Sequence, residues 1–182
     1  MTTLNIPCCQ NVTEIDDFFL QNCWALHDVE ISDSFSKVTT IGENFMYGCL
    51  ILQEIDLSFM TSLTTIGDYF LNESYLLSSL TLPSGITTIK NYFLKNSLYQ
   101  LKELDLSNLV SVANIGYGFL EYCDALETLS LPIKAGTSVP DLAGWGLGLE
   151  DSLKTIHCGN GVKLEAYMNA PVWNSKANLM VI

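Results

Sequence analysis

Apolar positions along this 182-residue chain recur on a long period, unlike the 3.6-residue period of a helix or the two-residue period of an isolated strand. The most legible unit, TTIGENFM at 39–46, returns as TTIGDYFL at 64–71 and as TTIKNYFL at 87–94, steps of 25 and then 23 residues. A period of about 20 to 50 residues marks a solenoid, a propeller or an array. An aliphatic residue precedes each unit, and following it along the chain gives six turns that begin at Val12, Val38, Leu63, Ile86, Val112 and Val139. Three residues on stand Ile15, Ile41, Ile66, Ile89, Ile115 and Leu142. Seven on stand Phe19, Phe45, Phe70, Phe93, Phe119 and Gly146, followed by Leu20, Met46, Leu71, Leu94, Leu120 and Leu147. The turns close on LHDVEI, LQEIDL, LSSLTL, LKELDL, LETLSL and LKTIHC. The fourth closing run needs one extra residue near Tyr99, the sixth turn lacks its Phe, and Leu4 and Ile6 read as the closing run of an earlier half-turn.

Each closing run ends in an alternation of apolar and polar residues, the pattern of a half-buried strand. Six or seven such strands side by side give a parallel sheet about 30 Å wide. The TTIG segments predict a second row of shorter strands, and the (D/N)YFL pieces a single helical turn on the convex side. Gly42, Gly67 and Gly116 share their offset with Asp16 and Lys90, so they read as a convenience of the turn with no demand for positive φ. Cys23, Cys49 and Cys123 share an offset with Ser74 and Ser97, which predicts a buried ladder of small residues. Neighbouring strands about 4.8 Å apart leave a Cys23–Cys49 disulfide sterically open and put Cys123 out of reach. At the C-terminal end Trp173 and the closing MVI form an expected cap. The N-terminal end shows no cap, so its open strand edge predicts either upstream repeats or pairing of residues 1–11 with another molecule.

The consensus Ile-Gly-x-x-(aromatic or Ala)-Phe-x-x-Cys-x-x-Leu-x-x-Ile-x-Leu-Pro runs through IGENFMYGCLILQEIDL and IGYGFLEYCDALETLSLP. It resembles the BspA-like, or TpLRR-class, leucine-rich repeat over about residues 4–161. The resemblance implies an α/β fold: a right-handed leucine-rich-repeat solenoid with a parallel concave sheet, and with short strands and single helical turns on the convex side. Residues 1–182 then make one domain: a half-turn at 1–11, six repeats at 12–161 and a cap at 162–182, whose ending resembles the family's usual tail, a short helix around Glu165 to Ala170 followed by Trp173 and a last apolar segment. The resemblance also implies a non-enzymatic protein–protein interaction or adhesion module of a bacterial or protist surface, displayed on the cell or secreted. The alternative is a passive spacer within a larger surface or fibre protein.

Composition narrows this further. With 48% apolar residues and a mean hydropathy of +0.27, one domain can bury a sizeable core. Nothing approaches the roughly 20 consecutive apolar residues of a membrane span, and MTTLNIPCCQ has neither the basic start nor the apolar run of a signal peptide. The formal charge of −12 is lopsided: residues 1–89 hold eleven Asp and Glu against Lys37 alone. The chain contains no Arg. Lacking a basic stripe or guanidinium forks it is unsuited to nucleic acid, and a protein with a basic surface is the expected partner.

Catalytic chemistry has little to draw on. His27 and His157 fall on the first and last complete concave strands, roughly 24 Å apart at the usual strand spacing, and no P-loop, nucleophile elbow, HExxH or EF-hand loop is present. Cys8, Cys9, Cys23 and His27 are zinc-type ligands within one turn of each other, but Cys23 belongs to an interior column and His27 to an outward one. No cofactor or metal is therefore expected. Asn11 and Asn72 stand in glycosylation sequons. Phe18, Tyr69 and Tyr92 share one convex offset and Trp24 and Tyr75 another, where ring packing between turns is the expected role.

The candidate binding residues lie on the concave strands. In LHDVEI, LQEIDL and LKELDL the outward positions hold Asp28 and Glu30, Glu54 and Asp56, and Glu103 and Asp105. Ser79 and Thr81 interrupt the stripe, and Thr128, Ser130, Thr155 and His157 continue it as a neutral face. Carboxylates about 4.8 Å apart on adjacent strands repel one another unless a cation lies over them. A Lys- or Arg-rich protein segment suits that need, with Ca²⁺ as a minor variant.

Overall fold

The structure is a computed structural model that describes residues 2–6, 11–31, 35–97, 99–132, 141–142, 152–170 and 173–182. The chain winds as a parallel solenoid. Each turn contributes one strand to each of two rows, and the Ile, Phe and Leu columns fill the space between them.

The short-strand row comes from the TTIG segments: β2 (Glu14–Ile15), β4 (Thr40–Ile41), β6 (Thr65–Ile66), β8 (Thr88–Ile89), β10 (Asn114–Ile115) and β12 (Asp141–Leu142). These six pair in sequence order as one parallel sheet, with the Ile column in register. Two side-chain ladders explain why the phrase repeats. The first Thr of the unit hydrogen-bonds the preceding turn: Thr39, Thr64 and Thr87 donate Oγ1 to the carbonyls of Thr13, Thr39 and Thr64 at 3.1–3.2 Å. The acid or amide after the glycine position accepts from the following turn. Asp17 Oδ1 takes the Glu43 amide, Asp68 Oδ1 that of Asn91, and Asn91 Oδ1 that of Tyr117, at 2.7–2.9 Å.

The glycines between these ladders correct the expectation of mere turn convenience. They do not adopt positive φ, but a Cβ on Gly67 would lie 2.4 Å from Gly42 O, and one on Gly116 would lie 2.5 Å from Lys90 C. Close stacking of backbones therefore demands glycine there. Lys90 makes the same inter-turn amide bond as Gly67 and Gly116, so the path of the fourth turn accommodates a Cβ.

The long-strand row comes from the closing runs: β1 (Thr2–Ile6), β3 (Leu26–Ile31), β5 (Glu54–Asp56), β7 (Ser79–Thr81), β9 (Glu103–Asp105), β11 (Thr128–Ser130) and β13 (Thr155–His157), with β14 (Met180–Val181) added at the end. The pattern predicts one continuous sheet, whereas the row divides into three ladders, β1–β3, β5–β7 and β9–β11–β13–β14. One break falls between β7 and β9, where the fourth turn carries its extra residue near Tyr99. The other falls between β3 and β5, whose outward positions hold four carboxylates, and there a single amide bond, from Gln53 N to His27 O at 3.4 Å, spans the step.

Between the rows, Phe19, Phe45, Phe70, Phe93 and Phe119 stack ring on ring at centroid spacings of 5.3–5.6 Å. The segments that carry them are not regular helical turns. Left-handed residues recur at alternate positions: Phe18, Leu20 and Asn22; Asn44, Met46 and Gly48; Tyr69, Leu71 and Glu73; Tyr92, Leu94 and Asn96; Gly118, Leu120 and Tyr122. For a non-glycine residue this conformation costs roughly 1–2 kcal/mol. The alternation offsets that cost by aiming amides at both neighbouring turns: Asn44 N and Gly48 N bond Asp68 O and Asn72 O ahead, while Met46 N bonds Phe19 O behind. The third and fifth turns repeat the backward bond, from Leu71 N to Phe45 O and from Leu120 N to Phe93 O.

At the C-terminal end the helix is longer than the one expected around Glu165 to Ala170. Helix α1 spans Gly161–Asn169, starting four residues before the expected Glu165 because Asn160 caps it through its side chain to the Lys163 amide at 3.0 Å. Trp173 opens a 3-10 helix (Trp173–Leu179), is fully buried, and packs edge-on against Tyr167, whose hydroxyl donates to Pro132 O at 2.9 Å. β14 then pairs with β13. In the sixth turn Val139, Gly146 and Leu147 lie outside the described residues, as do Cys8 and Cys9.

Candidate interaction face

All six carboxylates of the outward stripe stand on the long-strand row, Asp28 half-buried and the other five exposed. The structure brings four of them together. Glu30, Glu54 and Asp56 border a groove of about 520 Å³ over the unladdered step from β3 to β5, with Val29, Ile31, Ile55 and Phe59 as its apolar lining. Asp28 lies one outward position from Glu30 on the same strand, while Glu103 and Asp105 sit beyond the hydroxyl strand β7 as a separate pair. The stripe is therefore a cluster of four and an outlying two.

Local bonds fix the directions of several of these groups. Asn5 Nδ2 donates to Glu30 Oε2 at 2.7 Å, and Thr3 Oγ1 to Asp28 Oδ2 at 3.4 Å. His27 Nδ1 lies 2.9 Å from Asp28 Oδ1. Asp56 and Asp105 each accept the amide two residues on, from Ser58 at 2.8 Å and Ser107 at 2.9 Å, turning the chain out of the strand. These two aspartates thus hold local turns as well as charge, a structural part that the alternation pattern does not reveal. Phe59 is the groove residue that the pattern misses, because it falls outside the repeated offsets. Among the described residues no lysine forms an ion pair with any of the six.

Farther along, charge is neutralised within the chain. Lys154 Nζ lies 2.8 Å from Glu127 Oε2 and holds that exposed carboxyl below its usual pKa. Lys95 pairs with Glu121 at 2.9 Å and sits 4.8 Å from the centre of the Tyr92 ring. The hydrogen bond and charge of Glu121 raise the Lys95 pKa.

The other candidates resolve as packing. Cys23, Cys49, Cys123 and Cys158 are free thiols, so the sterically open Cys23–Cys49 disulfide is not formed. Cys49 and Cys123 donate to Leu20 O and Leu94 O at 3.3 and 3.1 Å, and burial pushes each thiol up to about 12. Among the described residues no group of three or more metal-ligand side chains converges. His27 and His157 occupy β3 and β13, in different ladders. Asn72 is only 4% exposed, which rules it out as a glycan acceptor in the folded chain. Tyr69 stacks on Tyr92 at 4.6 Å, Tyr92 meets Tyr117 edge-on at 5.6 Å and Tyr75 meets Tyr99 at 5.9 Å, as turn-to-turn packing requires. Phe18 and Trp24, in the first turn, stay 52% and 64% exposed.

Stacked coils with an apolar column between two parallel strand rows, and a row of outward side chains along the longer strands, define a leucine-rich-repeat solenoid. The sequence profile of the BspA type leucine rich repeat region matches residues 1–127 in six copies, and the chain belongs to that family. β12 and β13 carry both strand rows beyond the matched residues. A search of curated proteins finds none that matches. Among the described residues no helix is long and apolar enough to cross a membrane.

Proposed function

We propose that this chain is a non-enzymatic protein-interaction or adhesion module of the cell surface or secreted space, and that it takes a Lys- or Arg-rich segment of a partner protein on its long-strand face. The observation that carries this reading is the groove between β3 and β5, where Glu30, Glu54 and Asp56 ring an apolar floor that includes Phe59. A lysine or arginine side chain matches both parts, with its charged head among the carboxylates and its aliphatic stem on Phe59 and Val29. Asn5 and the Ser58 amide already orient two of the acceptors, which lowers the ordering cost of binding. Repulsion between the carboxylates is relieved when the cation arrives.

The test is the variant Glu30→Gln, Asp56→Asn, Asp105→Asn. Asn at 56 and 105 keeps a side-chain oxygen for the Ser58 and Ser107 amides, so the turns and the fold persist. With polylysine or a basic matrix protein as the probe, the parent binds at low salt, binding falls steeply as salt rises, and the variant loses about tenfold or more in on-rate. Equal binding by parent and variant at low salt removes this face as the site. A spacer, the competing reading, shows no salt-dependent binding in either form.

A further inference from the structure

Seven of the eight tyrosines, all but the buried Tyr167, lie on or beside the left-handed segments of turns two to five, where the chain passes from the short-strand row to the long-strand row. They form one field. Tyr69, Tyr92 and Tyr117 make a file with one ring per turn, and Tyr75 and Tyr99 make a second. Tyr47 stands at the head of both, within electrostatic reach of Tyr69 and Tyr75, and donates its hydroxyl to Glu73 Oε1 at 3.0 Å. Lys95 Nζ, 4.8 Å from the centre of the Tyr92 ring and 5.7 Å from that of Tyr122, joins the last ring to the field. Packing between turns explains the Tyr69–Tyr92 stack but not the rest. Tyr99, Tyr117 and Tyr122 remain 60%, 39% and 45% exposed. Edge-on pairing, at 82° for Tyr92–Tyr117 and 61° for Tyr75–Tyr99, leaves ring faces bare that a stack would cover. Of the seven hydroxyls only that of Tyr47 makes a hydrogen bond among the described residues. The cation in the field is already neutralised, since Lys95 pairs with Glu121 at 2.9 Å.

We propose that this tyrosine field is a second binding site, for an uncharged polysaccharide that lies across the turns with successive sugar units over successive rings. Charge sets the first requirement. Within a chain of formal charge −12 the field has its cation paired and its Glu73 engaged by Tyr47, so its complement is a ligand without charge. Chemistry sets the second. Free phenol hydroxyls both donate and accept, as sugar hydroxyls do, and the electron-rich face of a bare ring attracts the polarised C–H groups on the flat side of a sugar. Tyrosine also offers this contact at low cost in side-chain order. Periodicity separates a polysaccharide from a protein segment. The rings recur once per turn, at about the 4.8 Å spacing of parallel strands, and a sugar chain presents the same ring and hydroxyls at every unit. The two faces of the solenoid thus follow opposite rules, since an uncharged ligand is held without the salt dependence expected on the acidic groove.

The experiment is co-sedimentation of the full chain with insoluble cellulose, chitin and mannan at low and high salt. The expected result is retention on at least one of the three, equal at both salt concentrations. Tyr99→Ala with Tyr117→Ala should weaken that retention about tenfold or more, as loss of interface aromatics does, with an unchanged circular dichroism spectrum. Tyr99→Ser alone, at the most exposed of the rings, keeps the test valid if the double variant fails to fold. Retention on none of the three polysaccharides overturns the proposal, which is also the outcome if a protein occupies the field. Retention abolished by salt overturns it too, as does retention indifferent to both sets of tyrosine substitutions. The triple carboxylate variant should be retained as the parent is, and the tyrosine variants should bind polylysine as the parent does, so failure here and failure of the groove are read separately.

Discussion

At the residue scale the molecule is built from columns in which each side chain is supported by its equivalents in the turns before and after. Phe70 is fully buried and stacked on both sides, by Phe45 at 5.3 Å and Phe93 at 5.4 Å. Phe70→Ala should therefore destabilise the fold by about 3–5 kcal/mol, seen as a lower urea midpoint. Phe19→Ala, at the half-exposed end of the same column, should cost distinctly less. The cysteine column gives a pH signature. Cys123 rises from 9.0 to about 12 because burial disfavours the thiolate. A raised folded pKa means that its contribution to stability is fully present below pH 9 and is lost as pH climbs from there toward 12. Cys123→Ser should flatten that part of the decline in urea unfolding measured between pH 8 and 10.5, at little cost near neutrality, since Ser97 fills the same offset and bonds Leu71 O. A decline of unchanged steepness in the variant would refute the assignment to this thiol.

At the element scale, what could be read in advance depended on whether a feature is written in side-chain polarity. Both strand rows and the Phe and Ile columns follow from apolar spacing, and each appears in the structure at the residues that the spacing picks out. The alternating left-handed segments were not legible as such. Their only sequence traces are Asn22, Asn44, Asn96, Gly48 and Gly118, while buried Leu or Met takes the middle position where propensity argues against it. Inter-turn hydrogen bonds override local preference there. The division of the long-strand row was not legible, since the alternation of the closing runs is alike in strands that pair and strands that do not. A prediction follows for hydrogen exchange. Amides of the continuous short-strand sheet, such as Ile41, Ile66 and Ile89, should exchange slowest, and those of Glu54, Ile55 and Asp56 faster than those of Thr128, Leu129 and Ser130. Equal protection of β5 and β11 would show that the missing ladder has no energetic weight.

At the scale of the whole molecule, charge and shape divide the solenoid into unlike halves. The acidic excess lies in the N-terminal half, and the paired lysines in the C-terminal half. The stripe was legible as a list of outward acids, but not as a groove, because Phe59 joins it only through the winding of the chain. One further consequence concerns mechanics. Six short strands form an unbroken band along one side, while the opposite side is cut at two places, after β3 and after β7. Such a body resists stretching along the band but hinges at the cuts, as a segmented rod does with a single tendon down its back. A load pulling the two ends apart would widen the β3–β5 groove before the band yields, so tension on the chain and occupancy of that groove would each alter the other.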